Sequence, residues 1–414
     1  MPVPAAPFDP AAATERYLDS LSPTLRAAGA AFAEQSHWAE VIGGVAVFAV
    51  ALVVLKLGLL GRLRERVEAE GPRPWAATAA CAFVLLTTVA AIRIPLDTAA
   101  AFLADRTLLR PPSPILAYLA RAVSADSGQV VALTVGVSLL AALARWTPRA
   151  WWAIAGGAVA AGMLAMTWVP YALASGPAPL KPLPPGPARD GLMSLVASAG
   201  LGAHEIYVVP SPAVDGDVTG VPGLARVTVD QGMLDHAHVP EMKAAIGHLA
   251  GHFAHGDELG LGLLLGALWL GGLLAIHLGA RPLMRLLRAP APVGPADPAA
   301  LPAWLMIAVV WVAAGTVAER AYIRWINVRA DQFSLDHARE PDGLAVSLIR
   351  GFHDDKVDPG PLEEALFFDH PPLAQRLAHA MAWKAAHAYP SPWRQGRSAA
   401  KAPNRGDGGA FAGS

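Results

Sequence analysis

His248 and His252 stand one helical turn apart in the run Ile246-Gly247-His248-Leu249-Ala250-Gly251-His252. Two imidazoles at that spacing project from one face of a helix. In the H-E-x-x-H pattern they hold zinc, and the Glu between them takes a proton from the metal-bound water. Here the residue after the first histidine is Leu249, which cannot take a proton. The spacing argues for a metalloprotease helix, and the residue at its centre argues against ordinary proteolysis by it. His255 and Asp257 follow closely. Three consecutive ligands on one straight helix do not readily close a tetrahedron around one ion. His255 and Asp257 are therefore expected as solvated groups at the helix C-terminus near the membrane surface. The competing reading is a helix break at Gly256 that swings Asp257 or Glu258 back toward the histidines.

The elements that must position this pair are largely apolar. Of 414 residues, 54% are hydrophobic and only 16% charged, a balance richer in apolar side chains than a water-soluble globule carries. Four apolar stretches precede the histidines: Val41 to Leu60, Trp75 to Ile94, Val130 to Ala144 and Trp151 to Ala174. Two follow, Leu259 to Leu278 and Leu301 to Val317. Most approach the about 20 residues that cross a hydrocarbon core as a helix, and the third does so when counted from Ser127 to Trp146. Six spans are expected. The first begins after Glu15, Asp19, Glu34 and Glu40, so it does not read as the core of a cleavable signal peptide. Arg62, Arg64, Arg66 and Arg73 on one side compete with Arg106, Arg110, Arg121, Arg320, Arg324 and Arg329 on the other, which leaves the orientation open. A net charge of -1 and the lack of a basic patch with interleaved aromatics give no reason to expect a nucleic-acid partner. The single cysteine, Cys81, excludes a disulfide framework and a thiolate zinc site.

Residues 1–40 read as an amphipathic N-terminal segment with Tyr17, Leu18, Leu21, Leu25 and Phe32 on an apolar stripe, and residues 41–174 as a four-span region. Prolines and glycines between Ser175 and Pro187 cannot continue a helix and carry the chain out of the membrane. Residues 175–258 then read as the first part of an inserted α+β domain. Glu205 to Val209 and Ala225 to Val229 are its candidate strands, and Pro240 opens the histidine helix. Residues 259–318 hold two further spans, 319–388 complete the domain, and 389–414, rich in Gly, Ser, Ala and Lys, are expected to be disordered.

The text around the histidines, Glu241 to His252, resembles the active-site helix of membrane gluzincins, specifically the prenyl-protein (CAAX box) endopeptidase family. Past two spans that family has a second helix resembling S-R-x-x-E-x-x-A-D. Arg324-Trp325-Ile326-Asn327-Val328-Arg329-Ala330-Asp331 occupies its place, with Asn327 where the family has Glu. His370-Pro371-Pro372-Leu373-Ala374-Gln375-Arg376-Leu377 is similar to the H-P-P-L-x-x-R-I box that closes the domain. Leu180 to Gly186, Glu205 to Val209 and Asp230 to Leu234 match further stretches, and Pro95-Leu96-Asp97 is a weaker echo. The resemblance implies zinc ligands at His248, His252 and position 327, a general base at position 249, and Asp331 as a proton donor or supporting partner. It brings His370 and Arg376 into the site with their box. It also implies a substrate-binding edge strand like N-A-Y-F-T-G, of which Asp215 to Gly220 keep only the end, Val218, Thr219 and Gly220.

An amide at position 327 leaves zinc one negative charge short, so zinc is expected weakened or absent. Loss of the base costs about 10²- to 10⁴-fold in a proton-transfer step. The reading is a mainly α integral membrane protein with about six transmembrane helices and an inserted gluzincin-like metallopeptidase domain. The scaffold is read as catalytically degenerate, binding peptides, lipidated chains or a partner membrane protein. An active zinc metalloendopeptidase with a displaced base is one rival, and a transporter or channel the other. The expected location is the inner (plasma) membrane of a bacterium, with a cytoplasmic domain favoured by the resemblance. Blander readings attach to single residues: an ion pair between Arg324 and Asp331, a helix-capping His370, and surface positions for His204, His236 and His238. Glu319 and Arg320 are read as interfacial, and Trp151, Trp152, Trp168, Trp304 and Trp311 as marking span ends or bundle packing.

Overall fold

Apolar runs of this length can satisfy their backbone amides inside a bilayer only as helices or closed barrels, and here they form helices. The computed structural model describes residues 8–111, 113–174, 180–221, 223–294 and 296–387. In chain order the helices before the sheet are α1 (Pro10–Asp19), α2 (Pro23–Lys56), α3 (Leu59–Val67), α4 (Pro74–Thr107), α5 (Ile115–Trp146) and α6 (Trp151–Ala174). The α+β region holds β1 (Lys181–Pro182), α7 (Pro187–Ser198), β2 (Ile206–Val209), β3 (Gly216–Val221), β4 (Leu224–Asp230), α8 (Gln231–His236) and α9 (Val239–His255). Then come α10 (Asp257–Leu286), α11 (Leu301–Ala338), α12 (Pro341–Gly351), α13 (Pro361–Phe367) and α14 (Leu373–Ala386).

Among the described residues five helices are long and apolar enough to cross a membrane: α2, α4, α5, α10, and α11 with the short turn before it. The apolar part of α6 counted among the described residues, Trp151–Met166, falls short of that length, although the helix itself runs 24 residues to Ala174. The spans also exceed their apolar cores. The first belongs to one 34-residue helix from Pro23, capped by Ser22, so the boundary expected at residue 40 falls inside α2. The third starts at Ile115 rather than Val130, because Arg121 and Asp126 end the hydropathy signal without ending the helix. Pro95 lies inside α4 rather than after it. The expected tail, 389–414, and most of the proline-rich exit lie outside the described residues.

The inserted domain is built on a four-stranded sheet in the order β1-β2-β4-β3. β2 and β4 run parallel, and the outer pairs are antiparallel. Val227 and Val229 of the central β4 and Ile206 of β2 are fully buried, and with Leu192, Leu195, Met242 and Ile246 they form the core between sheet and helices. Among the described residues β3 is an edge strand, with Val218, Thr219 and Gly220 paired to Val227, Arg226 and Ala225 on one side only. Its first residue, Gly216, lies against Ile246 of α9, which seats the edge strand next to the histidine helix. A second cluster ties α1, α12 and α14 together through Leu18, Leu344, Leu377 and Met381.

Candidate functional site

Two glycines bring α9 against α11. A Cβ on Gly251 would lie 2.8 Å from Ala330 Cα, and one on Gly247 would lie 2.9 Å from Ser334 Oγ. Such helix contact requires residues without side chains at the crossing. Ser334 Oγ fixes it further by donating to the Ala244 carbonyl at 2.7 Å. The residues that follow the glycines in sequence are His248 and His252, and both meet a carboxylate.

His248 Nδ1 lies 2.8 Å from Asp331 Oδ1. Asp331 is buried and is held by the Arg376 guanidinium through Nε to Oδ2 and Nη2 to Oδ1, both at 2.7 Å. His252 Nδ1 lies 2.8 Å from Asp257 Oδ2, and Asp257, also buried, is paired with Arg329. Each histidine thus has a carboxylate on its outer nitrogen and an arginine behind the carboxylate. The chain delivers these groups from three places: Arg329 and Asp331 from one stretch of α11, Asp257 from the start of α10, and Arg376 from α14. Asp257 arrives because α9 ends at Gly256 in the left-handed conformation, φ 65°, and α10 starts immediately.

This overturns the expectation of a solvated Asp257; His255 is exposed, with its Nδ1 on the Gly251 carbonyl. Nor does Arg324 pair with Asp331. It donates to the carbonyls of Glu364 and Phe368, because the loop before α14 covers it and Arg376 has taken the carboxylate.

A carboxylate accepts and does not donate, so both imidazole protons belong on Nδ1. The two Nε2 atoms then face each other with lone pairs, 3.1 Å apart. The rings are nearly perpendicular, 86° between planes. Two lone pairs at that distance are reconciled by a shared proton or cation. Ligand nitrogens about 2.05 Å from one ion and this far apart would subtend about 98° at it, close to tetrahedral. The carboxylate-histidine pairs are also the outer partners that orient ligating imidazoles in metal sites. Burial pushes the His248 pKa below its ordinary value, against the hydrogen bond and charge of Asp331.

The rest of a hydrolytic zinc site does not fit. Leu249 is half-buried and packs against the core of the sheet domain. Asn327 is buried, and its Nδ2 donates to the Ile323 carbonyl at 2.9 Å. Among the described residues no group of three His, Cys, Asp or Glu side chains converges as metal ligands would. Charge points the same way. Asp331 is neutralised by Arg376 and Asp257 by Arg329, so neither buried carboxylate offers uncompensated negative charge to a divalent ion on the two imidazoles. Glu258 is exposed and hydrogen-bonds neither histidine, although its charge reaches His252.

The remaining named residues lie apart from this cluster. His370 is exposed and its Nδ1 meets Asp369 Oδ1 at 2.8 Å, at the start of the box whose Arg376 does reach the site. Val218, Thr219 and Gly220 lie on the edge strand. His204, His236 and His238 are exposed. Sequence reading missed Arg329 as a partner. The available signal was its position two residues before Asp331 on the same helix.

Residues 189–384 match the sequence profile described as peptidase family M48. Protease HtpX from Xanthomonas campestris pv. campestris, strains B100 and 8004 among them, is 35% identical over 80 residues, 19% of this chain and 27% of the relative. The match thus spans about a quarter of the length of those curated relatives. The crystal structure of S. mikatae Ste24p superposes with a TM-score of 0.58 at 13% identity, covering 90% of this chain and 95% of that one. At that identity the likeness is one of fold.

Proposed function

Since the chain belongs to peptidase family M48, we propose that it is an integral membrane protein that keeps the metallopeptidase scaffold while no longer running metal-dependent hydrolysis, and that it binds an extended peptide or lipidated chain. One observation carries the reading. The buried supports of the histidine pair are complete, with Asp331 and Arg376 on one side and Asp257 and Arg329 on the other, while the two positions that would do chemistry hold Leu249 and Asn327.

Peptide binding rests on the edge strand. Among the described residues β3 has one side free of strand partners, and its start packs on the histidine helix. An extended chain could therefore add as a fifth strand, with backbone hydrogen bonds giving affinity. By resemblance to the prenyl endopeptidases, the domain side is assigned to the cytoplasm of a bacterial cell. The active-peptidase reading needs a carboxylate on the Nε2 side of the pair. Asp257, the carboxylate that does reach His252, sits on Nδ1.

The test is restoration. Leu249→Glu with Asn327→Glu is expected to return one zinc per chain and cleavage of model peptides, since the outer supports are in place. A double variant that folds, as judged by its melting transition, and still takes up no zinc would overturn the claim that the scaffold kept its shape.

A further inference from the structure

The end of the helical bundle remote from the domain is formed where α2, α5 and α10 finish and α4, α6 and α11 begin. Lys56 on the Leu287 carbonyl, Arg64 on Asp297, and Arg145 on the Pro74 carbonyl hold those ends together. Two cavities open there, sharing Pro148 and Gly294 in their walls, and they differ in charge. The first, about 640 Å³, holds Arg64 and Arg145 with Glu65, Glu68 and Asp297, so its cations face carboxylates. The second, about 440 Å³, is lined by Arg149, Arg281 and His277 and by no carboxylate.

Every polar side chain in that second wall is a donor. The guanidinium groups of Arg149 and Arg281 make no hydrogen bond or ion pair with the described residues. His277 Nδ1 lies 3.1 Å from Trp151 Nε1. An indole nitrogen only donates, so Nδ1 carries the lone pair and the His277 proton sits on Nε2, available to an acceptor. The other wall is apolar: Trp151 stacked on Trp304 at 5.2 Å, with Ile276, Ala280 and Met284 beside them.

From this juxtaposition we infer that the cavity binds the phosphate of an anionic phospholipid, with the headgroup between Arg149, Arg281 and His277 beside the tryptophan pair. Three facts favour a lipid over a soluble anion. The cavity sits at the ends of membrane-spanning helices, it joins donors to an apolar surface, and tryptophan with arginine is the pairing that marks the headgroup level. The inference is independent of the peptidase-like site, which lies at the opposite end of the bundle.

The test uses the full chain in neutral detergent, with bound lipid counted by native mass spectrometry after titration with phosphatidylglycerol or phosphatidylcholine. Phosphatidylglycerol is expected to be retained in preference to phosphatidylcholine. Arg149→Gln/Arg281→Gln should lower that preference about 30-fold, the effect of two arginines near a charged headgroup. Arg62→Gln/Arg66→Gln removes the same charge from α3, outside the cavity wall, and should leave the preference in place. Equal retention of the two lipids, an equal loss in both double variants, or full competition by millimolar inorganic phosphate would each overturn the inference.

Discussion

Replacing Arg376 by methionine removes a cation whose partner has nowhere else to turn. The Asp331 side chain is 3% exposed, it accepts two hydrogen bonds of 2.7 Å from the guanidinium, and its remaining partner is His248. Breaking a buried pair from one side costs about 3–5 kcal/mol, because a buried charge is left uncompensated. For a domain of this size each kcal/mol lowers the melting temperature by about 2–4 °C, so Arg376→Met should melt about 6–20 °C below the parent. Tryptophan fluorescence during thermal unfolding in detergent reads this directly. Arg73→Met is the comparison. Its pair with Glu70 is exposed, with side chains 57% and 81% accessible, and such pairs are worth about 0–1 kcal/mol. Arg376→Met/Asp331→Leu should recover part of the loss, since an apolar replacement of both partners removes the orphaned charge and leaves only His248 Nδ1 unpaired. A drop in Arg376→Met no larger than in Arg73→Met would mean that Asp331 does not depend on the guanidinium, as would a double variant whose losses simply add.

Two further outcomes follow from packing and charge. Gly251→Ala gains about 1 kcal/mol of helix propensity but places a methyl 2.8 Å from the α11 backbone, an overpacking cost of about 1–3 kcal/mol. It should therefore melt lower than the parent, whereas Gly44→Ala, whose methyl meets nothing within 4 Å, should not; equal behaviour of the two would remove the close helix contact from the account. Burial pushes the Asp355 carboxyl up to about 6, with Asp369 and Asp354 adding to the effect and the Lys356 amide opposing it. A carboxyl whose folded pKa is raised contributes stability that is full below the usual value of 3.8 and lost as pH rises through about 6. Asp355→Asn should then melt above the parent at pH 7, with the gap closing by pH 4, and a gap independent of pH would contradict this.

Much of the architecture was legible because it is local. Apolar runs declare spans, Gly247-His248 and Gly251-His252 declare a helix with two imidazoles on one face, and Pro240 marks where it opens. The span ends were less legible. Arg121 and Asp126 interrupt the hydropathy of α5, and Ser22-Pro23 starts a helix well before the first apolar run, so periodicity locates the core of a span better than its termini. The charge partners were the least legible. Arg376 lies 45 residues from Asp331, and Arg329 lies 72 from Asp257; such pairs form only when α14 and α10 close on α11. Asp257 was misplaced because a helix end usually exposes its polar residues, and here the left-handed turn at Gly256 folds the next residue inward.

On the proposed reading, a complete outer frame surrounds a pair of histidines unable to hold and activate a hydrolytic zinc. Metal analysis of the purified full chain, stripped with chelator and reloaded with zinc, followed by assay on peptide substrates, tests it most directly. Well under one zinc retained per chain and no cleavage above a His248→Ala/His252→Ala control are expected. One tightly held zinc per chain, with cleavage abolished in that control, would contradict that reading.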